Sequence, residues 1–290
     1  MKLKGIDVSS HQGQIRWEYA KKDIDFAIIR LGYGSSSVDK YAFQNMKACT
    51  KHNIPFGVYW FSYAYTEQMA RTEARTVIEK IKGYKLSYPI FFDYEYDSVN
   101  YAKSKGKTIT PTLAQKIVKA FCEEIEKNGL YVGVYSNEDF IDRYFGENIF
   151  DKYDLWYANW NKSHNRTVNM WQYTCKGAIA GIEGAVDCNY CYVDYPTLIK
   201  GNTQQYKTIE EVAKCVLNGE YGDGSTRMEK LKKEGYDYYA VQGVINKWYA
   251  VARDCINGKY GNGETRKKKL TSLGYPYDII QSIVNDLIYE

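Results

Sequence analysis

Four carboxylates carry the chemistry this sequence could perform. Asp93 and Glu95 close an apolar run, YPIFFDYEYD at residues 88–97. Side chains alternate between the two faces of a β-strand, so these acids point the same way while Tyr94 points the opposite way. Two carboxyl groups in one small volume push each other's proton affinities apart, and burial keeps one of them neutral. An acid beside a carboxylate partner is what cleavage of a glycosidic bond requires. An isolated Asp-x-Glu at a strand end is equally a pair of solvated acids, so the surrounding elements must decide. Asp7 ends a short strand, KGIDVS at residues 4–9, and Asp187 lies in a later one, AVDCNYCY at residues 185–192.

The elements that must position these acids alternate. Apolar runs begin at Lys4, Phe26 (FAIIRL), Pro55 (PFGVYWFS), Tyr88 and Tyr131 (YVGVYSN). Between them, helices are predicted over residues 14–22, to residue 53 from a cap at Asp39, over 66–82, and over 110–127, the last started by Thr110-Pro111. Strands alternating with helices argue βαβ units and a parallel sheet covered on both faces. After Gly146 the strands LWYANW (155–160), VNMWQY (168–173) and 185–192 follow without long helices. Eight strands close a barrel, here an α/β barrel lacking helices in its last part. Chemistry in such barrels gathers at the C-terminal ends of the strands, where Asp7, Asp93, Glu95 and Asp187 all fall.

The net charge of +4 is too mild, and the Lys/Arg residues too scattered, for a nucleic-acid binder. No run of about 18 apolar residues could span a membrane. The start, MKLKGIDVSS, has no apolar segment after its lysines, which predicts cytoplasmic synthesis without a secretory leader. Seven cysteines form no regular framework, and Cys188-x-x-Cys191 lacks a partner pair, so neither a metal nor another cofactor is expected. Thirty Tyr and six Trp supply many flat faces with polar tips, suited to sugar rings and to barrel packing alike.

Residues 197–207 read as a linker after a catalytic region at 1–196. Beyond them lies an internal repeat with a 39-residue offset, VLNGEYGDGSTR (216–227) returning as CINGKYGNGETR (255–266). Copies at 208–247 and 248–290 each read as a small three-helix bundle, with a Thr208/Glu211 capping box, caps at Ser225 and Asp237, and a helix stop at Gly235. Tyr221, Arg227, Tyr236 and Gln242, with Tyr260, Arg266, Tyr275 and Gln281, are polar or aromatic positions kept between the copies. They fit either a binding surface or hydrogen bonding between helices.

The first 195 or so residues resemble the lysozymes of glycoside hydrolase family 25, through GIDVSSHQG (5–13), FFDYE (91–95), YSN (135–137), LWYANW (155–160), WQY (171–173) and VDCN (186–189). That resemblance implies a (β/α)5β3 barrel acting on peptidoglycan, and the repeats are similar to cell-wall-binding repeats of phage lysins. The pairing implies an endolysin that a holin releases to the bacterial cell wall. Carried over position by position, Glu95 is the general acid and then the base. Asp93 either attacks the anomeric carbon or orients the substrate's 2-acetamido group, and together with burial it raises the proton affinity of Glu95. Asp7 and Asp187 hold the network and stabilise positive charge. Trp60, Tyr63, Tyr135, Asn137, Trp160, Gln172 and Tyr173 are the candidate sugar-binding residues. A chitinase-like barrel is the alternative enzyme, but its D-x-x-D-x-D-x-E strand is matched here only in the last acid pair. A silent wall-binding protein would need a broken acid set, and the set is whole.

Overall fold

The computed structural model describes residues 2–161, 163, 164, 166–202, 209–234 and 236–289. It divides into two compact units, one of residues 1–81 with 85–205 and one of 82–84 with 206–290.

In the first unit the elements run β1 (Leu3–Val8), α1 (Trp17–Ala20), β2 (Phe26–Tyr33), β3 (Ser37–Val38), α2 (Ala42–His52), β4 (Phe56–Phe61), α3 (Glu67–Lys80) and β5 (Ile90–Asp93). They continue with α4 (Tyr96–Ser104), α5 (Pro111–Glu126), β6 (Val132–Asn137), the single turn α6 (Glu138–Phe140), β7 (Asp154–Ala158), β8 (Met170–Gly177), β9 (Val186–Cys191) and α7 (Tyr195–Asn202). Eight strands close into a barrel, because β1 pairs with β2 on one side and with β9 on the other. Among the barrel strands the ladder is parallel from β1 through β2 and β4 to β8, and β9 runs antiparallel to both neighbours. The eight expected strands and the helix-poor last part are therefore present.

Five local features depart from expectation. Helix α1 is one turn, shorter than residues 14–22. Asp39 does not cap α2 through its side chain; it accepts from the Tyr41 amide at 3.0 Å and pairs with Arg30 at 2.7 Å. The hairpin strand β3 extends the edge of β2. Helix α4 starts directly after Glu95, and part of the expected linker is the helix α7.

Strand parity sorts the core. Phe26, Ile28, Phe91, Tyr135, Trp156 and Met170 form one cluster inside the barrel. The alternate residues Ile29, Val58, Trp60, Phe92 and Val134 are buried beneath the helices, Phe92 against Phe121 of α5 at 4.7 Å between rings. Each such phenylalanine contributes about 1.5–3 kcal/mol by leaving water, which is why these strands are apolar on both faces. Thr66 and Thr110 cap α3 and α5, accepting from the Met69 and Leu113 amides at 3.2 Å each.

The second unit holds α8 (Ile209–Leu217), α9 (Gly224–Lys233), α10 (Tyr238–Ile256), α11 (Gly263–Ser272) and α12 (Tyr277–Tyr289) around its own core. The two copies are not separate three-helix bundles. The last helix of the first copy and the first helix of the second are one 19-residue helix, α10, so the expected boundary between residues 247 and 248 falls inside it. Asp237 caps α10 as expected, accepting from the Tyr239 amide at 2.8 Å. Asp223, not Ser225, stands at the N-cap of α9. Thr208, Gly235 and residues 203–207 of the expected linker lie outside the described residues.

Candidate active site

The C-terminal end of β5 delivers the central pair. Asp93 is its last residue, and Glu95 occupies the N-cap of α4 in an extended conformation. Strand parity thus persists for two residues past the sheet, and the carboxyl groups of Asp93 and Glu95 hydrogen-bond each other. Tyr94 points the other way, its hydroxyl donating to the Ala64 carbonyl at 3.0 Å. The Glu95 amide donates to Ser98 Oγ at 3.1 Å, which ties the acid to the first turn of α4.

Burial pushes both proton affinities up, Asp93 furthest, with Glu95 and then Asp7 adding to it while Arg30 opposes. Glu95 is raised chiefly by burial, and the Asp97 and Asp187 charges add to the effect. The hydrogen bond from Asp93 acts the opposite way and lowers Glu95. Of the two causes expected for the raised proton affinity of Glu95, burial therefore acts as expected, and the hydrogen bond with Asp93 acts against it. Asp93 Oδ1 is buried and accepts from no donor group among the described residues.

Asp7 and Asp187 face each other in register across β1 and β9; because β9 runs antiparallel, Asp187 stands near the N-terminal end of its strand and not at the C-terminal end expected. Asp7 Oδ2 accepts from Asn189 Nδ2 at 2.7 Å and Gln172 Nε2 at 3.0 Å. Both amides are themselves oriented, Asn189 Oδ1 by Trp156 Nε1 at 2.8 Å, and Gln172 Oε1 by the Tyr135 hydroxyl at 3.0 Å and Trp160 Nε1 at 3.2 Å. Burial and the Asp187 charge nevertheless lift Asp7 to about 7, against those two hydrogen bonds. Asp187 is raised by burial, with a backbone hydrogen bond and His11 opposing. The four acids act on one another and so occupy one electrostatic site.

The candidate sugar contacts divide. Tyr135, Gln172 and Trp160 join the acids, and Trp160 is 60% exposed at the rim. Tyr63 is half-buried, its hydroxyl affected by Asp97 and Asp93. Asn137 spends its Oδ1 on the Phe140 amide at 3.0 Å, capping α6. Trp60 and Tyr173 do not reach the acids. Trp60 is 0% exposed and donates to the Gly34 carbonyl at 3.0 Å; Tyr173 stacks on Tyr190 outside the barrel at 4.3 Å.

The sequence reading missed Tyr59, whose hydroxyl lies in the field of Asp7, Asp93 and Asp187, and Asn189, which holds Asp7. It also missed Arg30, the cation that opposes the rise at Asp93. Parity carried the signal: Tyr59 pairs with Phe91 and Phe61 with Asp93, so Tyr59 shares the inner face and Trp60 cannot.

In the second unit, Arg227 donates to Gly222 O, Gln242 Oε1 and Asp223 Oδ1 at 3.0, 3.4 and 2.7 Å. Arg266 repeats the pattern on Gly261 O, Gln281 Oε1 and Asn262 Oδ1 at 3.0, 3.0 and 2.9 Å. Tyr221 and Tyr236 are buried in this unit's core, and Tyr260 and Tyr275 pack against it. The kept polar positions thus brace each copy from within.

The family model of glycosyl hydrolases family 25 matches residues 6–182, and the CW_7 repeat matches residues 210–248 and 249–288. The modular autolysin LytC from Streptococcus pneumoniae, solved in complex with a synthetic peptidoglycan ligand, is 32% identical with a TM-score of 0.59. The match covers 66% of this chain and 47% of the autolysin, so the chain spans about half that relative's length. A family 25 glycosyl hydrolase from Bacillus anthracis is 28% identical with a TM-score of 0.58, covering 68% of this chain and 92% of that one. The uncharacterized protein YegX of Escherichia coli strain K12 is 26% identical over 198 residues, 64% of this chain and 68% of its own. Because the family's pattern runs through the barrel from Ile6 to Ile182, over more than half of the sequence, the chain belongs to glycosyl hydrolase family 25.

Proposed function

We propose that the chain is a peptidoglycan muramidase, cleaving the β-1,4 bond between N-acetylmuramic acid and N-acetylglucosamine with net retention, and that its two repeats hold it to the bacterial cell wall. The observation that carries this reading is the hydrogen-bonded Asp93–Glu95 pair at the barrel mouth. Carboxyl groups in hydrogen-bond contact are closer than the roughly 5 Å between an acid and a nucleophile flanking a scissile bond. That closeness supports attack by the substrate's own acetamido oxygen, with Asp93 as its guide.

The steps balance on one shared proton. At rest Asp93 holds it. The substrate's acetamido N–H then donates to Asp93, which favours the ionised form of that group and moves the proton onto Glu95. Glu95 gives it to the glycosidic oxygen as that bond breaks, while the acetamido oxygen bonds to the anomeric carbon. Water then attacks the anomeric carbon from the face the glycosidic oxygen left, breaking the bond to the acetamido oxygen, and Glu95 takes that water's proton. Asp187, and Asp7 once it has released its proton, supply negative charge beside the developing cation. Clearing of purified Gram-positive walls by the protein should fall about 10²–10⁴-fold in Glu95→Gln, the usual worth of a general acid. Equal clearing by both proteins would reject the assignment.

A further inference from the structure

Beside the acid site, Tyr63 is flanked by exposed tyrosines, Tyr33 and Tyr101, to which the muramidase reading gives no role. Tyr33, at the end of β2, is 41% exposed, and Tyr101, on α4, is 37% exposed. Tyr63 stands between them, 6.5 Å from the Tyr33 ring and 5.0 Å from that of Tyr101, and Tyr65 lies 6.4 Å from Tyr101. Four tyrosines from three elements thus make one continuous aromatic edge.

Its backbone is pinned. The Gly34 amide donates to the Phe61 carbonyl at 2.9 Å, and Trp60 Nε1 donates to the Gly34 carbonyl at 3.0 Å, which fixes the turn after Tyr33. Glu73, buried on α3, accepts from the Tyr63 amide at 3.2 Å. An aromatic face held this way loses little freedom when a ligand stacks on it. Trp60 thereby acquires a role in positioning Tyr33.

The edge adjoins the acids: Phe61, two residues before Tyr63, pairs with Asp93 in register, and the Asp93 charge acts on the Tyr63 hydroxyl. It also stands across the mouth from Trp160: around the closed sheet, β4, which leads to Tyr63, lies opposite β8, whose Gln172 holds the Trp160 indole. Aromatic faces therefore flank the four acids on both sides. A single sugar ring bound at the acids cannot span both walls; a glycan chain can.

Resting on the muramidase reading, we propose that Tyr33, Tyr63 and Tyr101 form an outer subsite that stacks a further N-acetylhexosamine ring of the β-1,4 glycan strand, several sugars from the bond being cut. The enzyme then prefers long strands to short ones, and that preference resides in Tyr33 and Tyr101. Both are exposed, so their loss leaves the barrel core intact.

The test compares kcat/KM on peptide-free glycan strands longer than about ten disaccharides with kcat/KM on a single tetrasaccharide of the same repeat. For Tyr33→Ala/Tyr101→Ala the long-to-short ratio should fall about tenfold or more, from two stacking contacts, while Tyr101→Phe keeps the ratio. An active wild type whose ratio is unchanged in the double variant overturns the subsite alone. A wild type inert on both substrates overturns the muramidase reading and the subsite with it.

Discussion

Glu95 owes its acidity at neutral pH to burial first, and the charges of Asp97 and Asp187 add to that. Asp97 is exposed in the first turn of α4, so its charge can be removed without disturbing the site. A neighbouring anion raises an acid's proton affinity, and removing it lowers that affinity. Asp97→Asn should therefore move the alkaline limb of the kcat/KM profile to lower pH, by roughly a few tenths of a unit for a solvent-screened charge; an alkaline shift would contradict this. Asp7 works on stability as well. Its affinity stands at about 7 in the folded chain against 3.8 ordinarily. The folded chain therefore keeps a proton that the unfolded chain releases between those values, so this contribution is complete below about pH 4 and is lost as pH rises through 7. Glu73, lifted by burial to about 7, acts in the same direction. The thermal midpoint should fall from pH 5 to pH 8, and Asp7→Asn should flatten that fall. A rising midpoint, or a slope indifferent to Asp7→Asn, would count against the buried, protonated state.

Strands and helices differ in how plainly they can be read ahead of the fold. Barrel strands such as β2 and β5 were legible because both of their faces are buried, leaving unbroken apolar runs such as FAIIRL and YPIFF. Helix α4 was not, because only Ser98 and Ala102 of its nine residues are buried, so it carries no apolar stripe. Residue identity along β4 was legible but not its phase: YW offers two aromatics, and only pairing with β5 settles that Tyr59 faces the acids. The four acids were readable as motif positions, while Asn189 and Arg30 depend on strands brought together in space. Helix α10 was hidden by the repeat itself, which suggested a break where NKWYA contains no helix breaker. Within it, Gly243 has a helical backbone and open space where a Cβ would sit. Gly243→Ala should therefore stabilise the second unit by about 0.5–1 kcal/mol, measured as a raised denaturation midpoint. A lowered midpoint would mean that α10 is not continuous.

Across the whole molecule, the barrel carries the acid site and the helical unit has a core of its own, and on the proposed function the first cuts while the second holds. Residues 206–290 alone should sediment with purified walls, and the barrel with Glu95→Gln should lose that retention when the repeats are removed; a helical unit that stays in solution would end the binding role. No helix among the described residues is long and apolar enough to cross a membrane. The central claim concerns which bond the acids break. Mass spectrometry of borohydride-reduced products from purified peptidoglycan reads this directly. The account predicts that every new reducing end is muramic acid, recovered as its alditol. New ends bearing reduced N-acetylglucosamine would contradict it.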